Sequence, residues 1–390
     1  MKKIQKSHTC PPQSGPCRTV GAALLSAAMS LPLAVETAHA ELAPERGLIG
    51  IKHLDYQESQ GALNDQPAVS RIHVNADQFL VVAPISGEWS LSGTYTADTI
   101  SGASPASYTA PPVKMHDKRH ALSADATRYF PNGTVAVGAN VSSETDYLSR
   151  GISVNVSRSN ESKNTTWNAG ISVSNDDIHS NIAVLNESKH IGDLLVGVTQ
   201  VLTINDIVQL SLGVSKGSGY FSDPYKANDN RLRDRDKNTT MLRWNHFFAS
   251  TQGTARSSYR YYTDSWSIKA HTLDVEYVQP LTNGWTVTPL LRLYTQSAAS
   301  FYVDSPENYS PSPFGTYFAS TYYSEDQRVA AFGARTFGLK VAKQLDADWL
   351  VDVKYENYGQ RASWRMFGTG SPNLATFDAR SIQIGISRQF

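Results

Sequence analysis

Apolar and polar side chains alternate with a period of two along most of the chain after residue 40. In residues 167–174 and 208–215 every second position is Trp, Ala, Val, Ile or Leu, and the positions between them are Asn, Gly, Ser or Gln. The same alternation recurs in 152–156 and 285–294. It predicts β-strands with one apolar and one polar face. No long apolar pattern with helical spacing follows residue 40, so the predicted fold is all-β.

Short turns and connections of variable length alternate between the predicted strands. Gly, Asn and Asp are frequent in the turns because these residues adopt positive φ angles or bond their own backbone. Seven turns, eight variable connections and two free ends predict an up-and-down antiparallel meander of sixteen strands. The predicted turns are 86–88, 131–133, 160–164, 203–205, 251–253, 282–284 and 346–348.

Sixteen strands are expected to close into a barrel. Twisted open sheets rarely exceed about ten strands, and closure pairs both edges. In a membrane, closure also satisfies every backbone hydrogen bond, so the apolar face is expected to contact lipid and the polar face the lumen. A soluble propeller or β-helix is the alternative, but it would repeat a motif at a fixed period and the sequence shows none.

Aromatic residues lie close to the short turns, as expected for a girdle at one membrane interface. Six of the seven turns have one within three residues, and the chain ends in an alternating strand with a terminal Phe. Such an ending is typical of the closing strand of outer-membrane barrels, so the expected partners are outer-membrane lipids and, through this strand, the barrel-assembly machinery. The predicted girdle residues are Trp89, Phe130, Trp167, Phe248, Trp285, Trp349 and Phe390.

The first forty residues have the pattern of an export signal. Basic residues precede an apolar run that ends in Ala38-His39-Ala40, so cleavage is predicted after Ala40. This divides the chain into a signal peptide, 1–40, and an outer-membrane barrel, 41–390. Both cysteines, Cys10 and Cys17, lie in the signal, which excludes disulfides and thiolate metal sites from the mature protein.

Composition narrows the class of protein further. A mean hydropathy of −0.35 excludes a polytopic helical membrane protein. The full chain has 35 basic and 35 acidic residues, and removal of the signal, which carries four basic residues and one acid, leaves a net charge of −3. There is no run of five basic residues and no Gly-rich phosphate loop, so neither nucleic acid nor a nucleotide cofactor is expected.

The sequence resembles a proteobacterial outer-membrane β-barrel family of unknown function, catalogued as domain of unknown function three-five-seven-zero. The resemblance covers most of residues 47–390 and implies the location and the fold without a function. Arg388 departs from the aromatic residue usual at its position. The motifs that carry the resemblance are Ser101-Gly-Ala-Ser-Pro105, Asp117-Lys-Arg-His120, Ser143-Glu-Thr-Asp-Tyr147, Gly219-Tyr-Phe-Ser-Asp-Pro-Tyr225, Tyr259-Arg-Tyr-Tyr262, Asp264-Ser-Trp266, Gln296-Ser-Ala-Ala-Ser-Phe-Tyr302 and Gly370-Ser-Pro372.

Strand parity places charged residues of both signs on the lumen face. Two interpretations stay open: a polar conduit whose mixed field filters solutes, and a ladder of cross-strand ion pairs that fills the lumen. A symmetric turn at 344–348 would set Lys340 opposite Asp352, which favours the ladder for that pair. The candidates are Asp125 on the fourth strand and, on strands ten to fifteen, Arg243, Arg260, Asp264, Asp274, Glu276, Arg292, Lys340, Asp352, Lys354 and Glu356.

Two further segments have candidate chemistry. Residues 301–323 contain eight aromatics and three prolines, and they either fold inward to constrict the pore or pack at the outer rim. Residues 223–237 contain Asp223, Asp229 and Asp234, but three interleaved arginines compete for these carboxylates, so no metal site is expected.

No enzyme is expected. His120 with Asp117, and His271 near Asp264, are the histidine–carboxylate combinations considered for a rim hydrolase, and no nucleophile motif accompanies either. The sequence therefore predicts a porin-like or substrate-selective passive channel for a small solute, without a cofactor. The alternative is a non-conducting scaffold that anchors a periplasmic or surface redox partner, a role suggested by the genes that often neighbour the resembled family.

Overall fold

A computed structural model describes residues 42–63, 67–103, 114–180, 185–226, 228–304, 309–312, 315–318 and 320–390. Sixteen antiparallel strands form one closed barrel in chain order, which confirms the predicted meander. The barrel strands are β1 (Leu48–Gln60), β2 (Val69–Ile85), β3 (Trp89–Ala103), β4 (Lys114–Phe130), β5 (Gly133–Ser143), β6 (Tyr147–Ser159), β7 (Thr165–Ser180), β8 (Leu185–Val201), β9 (Asp206–Gly219), β11 (Asp234–Phe248), β12 (Gly253–Asp264), β13 (Lys269–Pro280), β14 (Trp285–Gln296), β18 (Phe332–Gln344), β19 (Trp349–Arg361) and β20 (Phe377–Gln389).

Two short strand pairs lie in the connections at the end of the barrel opposite the predicted short turns. β10 (Asp229–Asn230) pairs with β17 (Tyr323–Ser324), and β15 (Tyr309–Ser312) pairs with β16 (Gly315–Phe318). Single 3-10 turns occupy Thr282–Gly284, Gln327–Val329 and Ala362–Trp364. No helix among the described residues is long and apolar enough to cross a membrane.

Pairing between the first and last strands closes the barrel, with Lys52 opposite Gly385 and Ile51 opposite Ile386. All seven predicted turns join neighbouring strands at one end, and the chain termini of the barrel lie at that same end. Asn283 and Gly284 have φ values of 57° and 74°, which explains why a turn there requires residues that tolerate the left-handed region.

The outer face of the barrel is apolar and exposed. Leu210 and Leu212 on β9 and Ile382, Ile384 and Ile386 on β20 are all exposed. In a soluble protein these side chains would be buried, so their exposure on a closed sheet marks a surface that contacts lipid. The residues between them point into the lumen because side chains alternate along a strand.

Candidate functional site: the barrel lumen and the loops across its mouth

The lumen has two unlike sides. On the inner face of β5–β9 the side chains are mostly small, and Asn140, Asn155 and Asp193 are exposed there. Even Leu195, which lies between the inward-facing Gly170 and Gly213, is 48% exposed. Water-accessible space therefore borders this side of the barrel.

The opposite side, formed by β19, β20 and β1–β3, is filled with side chains. Leu54, Val74 and Ala76 are buried in one apolar cluster on its inner face. Lys52 is only 1% exposed, and its neighbours include Asp352 and Gly385. A Cβ at Gly385 would lie 2.7 Å from Asp352 Oδ2 and 3.4 Å from Lys52 Cγ, so the glycine leaves room for this buried pair.

The structure places the predicted lumen residues on the inner face of their strands, opposite in parity to exposed outer residues such as Leu242, Tyr259 and Leu339. Arg260 and Arg292 are exposed to the lumen, and Asp264 and Asp352 are buried. Lys52 lies on the same inner face but is not among the residues predicted from the sequence. It alternates in step with Gly50 and Leu54 along β1, so strand parity would have placed it there. The residues on this face are Asp125, Arg243, Arg260, Asp264, Asp274, Glu276, Arg292, Lys340, Asp352, Lys354 and Glu356.

Several of the lumen candidates form ion pairs with one another. Arg292 pairs with Asp274, and Lys354 Nζ lies 3.0 Å from Glu356 Oε1 on the same strand. The predicted register of Lys340 was wrong: it lies opposite Lys354, and Asp352 lies opposite Ala342.

The ion pair between Lys340 and Asp352 nevertheless forms diagonally, at 3.5 Å. The register differs because the turn is centred on residue 347, with 346–348 between the bonded Leu345 and Trp349, rather than on residue 346. The carboxylate of Asp346 accepts backbone N–H groups from Asp348 and Trp349, and Leu345 N–H bonds the carbonyl of Trp349.

The connection between β9 and β11 crosses the mouth of the barrel. Tyr225 is buried against Leu54, Ile72 and Ile100 on the inner face of β1–β3. In the closed order of sixteen strands, β1–β3 lie on the side of the barrel opposite the β9–β11 connection. The Tyr225 hydroxyl donates to Asp146 in the connection between β5 and β6, so a third part of the rim holds the crossing segment.

The long connection between β14 and β18 meets this crossing segment. We call the two together the mouth plug: residues 220–226 and 228–233 from the first connection, and 297–304 and 320–331 from the second. They are joined by the β10–β17 pair and by an apolar cluster in which Trp266 contacts Phe221 and Phe301 edge to face.

A buried carboxylate is at the centre of the plug. Asp326 is 1% exposed and accepts from Arg231 Nη2 at 2.6 Å and Arg328 Nε at 2.7 Å, with Lys226 Nζ 2.9 Å away. Burial alone would raise the pKa of Asp326, but Arg328, Lys226 and Arg231 together hold it well below its ordinary value. Asp223 adds a second carboxylate, 3.0 Å from Arg328.

Three carboxylates cluster beside the plug, at the rim end of β4 and β6. Oxygen atoms of Asp117, Glu144 and Asp146 lie within 4.8 Å of one another. Burial first, and then the Asp117 carboxylate, raises the pKa of Glu144 to about 8. Glu144 is therefore largely protonated at neutral pH, which reduces repulsion within the cluster.

The segment with eight aromatics divides between the plug and the undescribed part of the chain. Phe301 is buried against Trp266, with ring centroids 5.2 Å apart, while Tyr322 is exposed. Tyr302 joins the edge of the same cluster. The side chains of Tyr309, Phe314, Tyr317 and Phe318 fall outside the described residues.

Arginines occupy two of the three candidate carboxylates of the 223–237 segment, Asp229 and Asp223. Arg231 Nε bonds Asp229 at 2.9 Å, and Arg328 bonds Asp223. The two histidine–carboxylate combinations do not come together: His120 faces outward and bonds the Tyr95 hydroxyl, and His271 bonds the Tyr259 hydroxyl. Asp117 and Asp264 are buried on the other face of the sheet.

The predicted girdle residues lie at the end of the barrel that has the short turns. Trp89, Phe130, Trp167, Phe248, Trp285 and Phe390 are exposed, and Trp349 is half-buried beneath Arg388, whose guanidinium carbon lies 5.3 Å from the ring centre.

Solved structures share the barrel architecture only at a distance. A FadL homologue from Pseudomonas aeruginosa is 10% identical, with a TM-score of 0.44, covering 88% of this chain and 90% of that one. OccK2 (OpdF) from the same organism, in complex with glucuronate, is 9% identical, with a TM-score of 0.44 and coverage of 90% and 99%. A bacterial polysaccharide outer membrane secretin is 8% identical, with a TM-score of 0.47 and coverage of 88% and 98%. Likeness at this level carries no argument about function.

The match to a family is stronger. No curated protein sequence matches the chain. A family model described as protein of unknown function (DUF3570) matches residues 107–185 and 180–381, more than half of the sequence, which confirms the resemblance. With its closed barrel and lipid-facing outer surface, the chain is an outer-membrane β-barrel protein and belongs to the family described as protein of unknown function, DUF3570.

Proposed function

We propose that the protein is a substrate-selective passive channel for a small hydrophilic solute, narrowed at one mouth by the plug. The supporting observation is that the two sides of the lumen differ. Asn140, Asn155, Asp193, Arg256 and Arg260 are exposed on the inner face of β5–β12, while Lys52, Leu54, Val74 and Asp352 are buried on the inner face of β19, β1 and β2. Solute would follow the small side chains of β5–β9, past Asn140 and Asn155. A barrel of this strand number is wide enough for an aqueous path unless its interior is plugged.

The charges beside this path favour anionic solutes. Arg243, Arg256 and Arg260 lie on the inner face of the neighbouring strands β11 and β12, and Asp274 and Glu276 follow on β13. Arg256 and Arg260 are exposed to the lumen, so they act on a passing ion through water rather than as a buried pair.

The proposal includes the predicted export route and partners. Residues 1–40 are removed as a signal, the barrel-assembly machinery recognises β20, and the end with the short turns faces the periplasm. The plug then faces outside the cell.

The alternative is a non-conducting scaffold, and the specific observation in its favour is that the plug crosses the full width of the mouth. Purified protein in planar lipid bilayers separates the two. Current steps of stable size are expected for the channel. Silence of both the wild type and a plug-weakened variant, Asp326→Asn, would support the scaffold and refute the channel.

A pair of substitutions locates the path. Asn155→Trp adds an indole on the inner face of β6 and is expected to reduce the step size by about half. Val156→Trp adds the same bulk on the exposed outer face of that strand and should leave the step unchanged. Equal steps in both variants would place the path elsewhere.

A further inference from the structure

The outer face of the barrel has one strongly basic sector at the end opposite the short turns. On the outer face of the rim formed by β13, β14, β18, β19 and β20, the described residues include five basic side chains and one acidic side chain. Their register keeps them close in height: Arg335 lies opposite Gly359, Gly359 opposite Asp378, and Asn357 opposite Arg380. The charged residues of this sector are Lys269, Arg335, Arg361, Arg365, Asp378 and Arg380.

A folded-back segment organises the sector. The 3-10 turn Ala362–Trp364 and the residues after it lie flat on the outside of the barrel. They can do so because Gly333 and Gly359 have no side chain on this face. A Cβ at Gly333 would overlap the carbonyl of Trp364, and a Cβ at Gly359 would lie 3.1 Å from the Trp364 ring. Met366 N–H then bonds Thr295 Oγ1 at 3.1 Å, and Phe367 reaches His271 on β13, with ring centroids 4.6 Å apart.

Two guanidinium groups pack over the ring of Trp364. The Cζ of Arg335 lies 4.5 Å from the centre of its ring and that of Arg361 lies 5.1 Å away. Arg361 is also held by both oxygens of Asp378, at 2.9 and 3.0 Å, so the only acid of the sector is already engaged. Arg335 is exposed, and Arg365 bonds the carbonyl of Thr369.

The basic sector lies directly above the apolar band. Phe337, two residues along β18 from Arg335, is 59% exposed on the same face, and the strand rise places it about 7 Å away. Phe367, at 60%, and Met366 are exposed beside the arginines. Exposed apolar side chains next to guanidiniums, at the height where hydrocarbon ends, match a lipid with an anionic headgroup.

We propose that this sector is a binding site for the phosphorylated headgroup of an outer-leaflet lipid, lipid A being the lipid of that chemistry. Arg335 and Arg365 contact a phosphate through charge-assisted hydrogen bonds, and Met366 and Phe367 lie against the acyl chains. The site rests on the proposed orientation, with the long connections facing outside, and not on whether the barrel conducts.

Lipid binding by the protein in neutral detergent tests the site. Bis-phosphorylated lipid A is titrated in and retained lipid is counted by native mass spectrometry. Each arginine near the headgroup is expected to contribute about fivefold in affinity, so Arg335→Gln with Arg365→Gln should weaken binding about 25-fold. Lipid A without phosphates should bind the wild type as weakly as the intact lipid binds this double variant.

A matched control comes from the opposite side of the same rim. Arg150 on β6 is exposed and outward-facing, 3.4 Å from Asp177, and Arg150→Gln should leave lipid affinity unchanged. Gly333→Ala displaces the Trp364 segment without removing a charge and should also weaken binding. Heat-modifiable gel mobility confirms that each variant is folded.

Three results would overturn the proposal. These are equal affinity in the double variant and Arg150→Gln, equal binding of lipid A with and without phosphates, and full displacement of the lipid by inorganic phosphate. Because the assay does not measure current, a silent barrel that still binds the lipid would refute the channel and leave the lipid site standing.

Discussion

Asp326 is the residue on which the mouth plug most depends. It accepts hydrogen bonds from the side chains of Arg231 and Arg328, lies 2.9 Å from Lys226 Nζ, and its Oδ1 accepts the backbone N–H of Arg328 at 2.9 Å. Asp326→Asn keeps the shape of the side chain and removes its charge. The substitution leaves three cations, Lys226, Arg231 and Arg328, facing only two carboxylates, Asp223 and Asp229. The new amide N–H₂ group cannot accept hydrogen bonds from these cations.

The size of the effect follows from the burial of this group. Removing one partner of a buried, hydrogen-bonded ion pair typically costs about 3–5 kcal/mol, because the remaining charge stays buried without compensation. If that loss falls on the closed plug alone, the ratio of open to closed plugs rises by roughly 10² to 10⁴.

Hydrogen exchange in lipid nanodiscs measures this ratio directly. The backbone N–H groups of Tyr225 and Arg231 bond Asp223 Oδ1 at 3.1 Å and Ser222 Oγ at 2.9 Å, so both amides exchange only when the plug opens. Asp326→Asn should accelerate their exchange by that factor and lengthen the open periods in bilayer recordings.

The matched control is Asp346→Asn in an exposed turn at the other end of the barrel. That carboxylate bonds only the backbone of Asp348 and Trp349, so its loss should affect local exchange at the turn alone. Unchanged exchange at Tyr225 in Asp326→Asn, or equal acceleration in both variants, would refute the view that the ion cluster closes the plug.

Three more predictions address the lumen, the rim and the filled side. Arg256→Gln with Arg260→Gln should lower the anion-to-cation permeability ratio about 30-fold by reversal potential, since two charges about 8 Å away stabilise a passing anion and destabilise a passing cation by roughly 1 kcal/mol each in water; Arg158→Gln on the outer face is the control. The raised pKa of Glu144 means that the folded state retains a proton which the unfolded state releases above pH 4.5. Stability should therefore fall from about pH 5 to pH 8, so the wild type should melt at a lower temperature at pH 8 than at pH 6, and Glu144→Gln should remove that difference. Gly385→Ala places a methyl group against Asp352 and should cost about 1–3 kcal/mol in thermal unfolding, whereas Gly192→Ala, with open space around its Cβ, should not destabilise.

The features predicted correctly from the sequence are those set by neighbouring residues. Period-two alternation in segments such as 208–215 fixes which face meets lipid, and turn residues such as Asn283 and Gly284 fix where a strand ends. Even the register error at Lys340 was small, because it came from one backbone detail: the carboxylate of Asp346 bonds two N–H groups and moves the centre of the turn.

The contacts that form the plug could not be predicted, because they join residues far apart in the chain. Asp223 meets Arg328, and Tyr225 meets Asp146, across gaps of 105 and 79 residues. No local pattern specifies such pairs. One usable signal is present in the sequence, the interleaving of acids and arginines in 223–237, and it marks one half of an ion cluster rather than competition for a metal.

The chemistry of the plug fits a closure that can open. An apolar plug would be held by burial alone and would expose its apolar surface to water on opening. The Asp326 cluster instead has no net charge, because three cations face Asp223, Asp229 and Asp326. Water can hydrate each of these charged side chains when the plug opens. Opening therefore converts buried ion pairs into hydrated ions. The Coulomb attraction that is lost and the solvation free energy that is gained nearly cancel. Tyr225, buried on the filled side, and the Trp266 cluster supply apolar contacts that keep the closed state favoured. In the proposed channel, one side of the lumen holds the plug and the other leaves a path for solute.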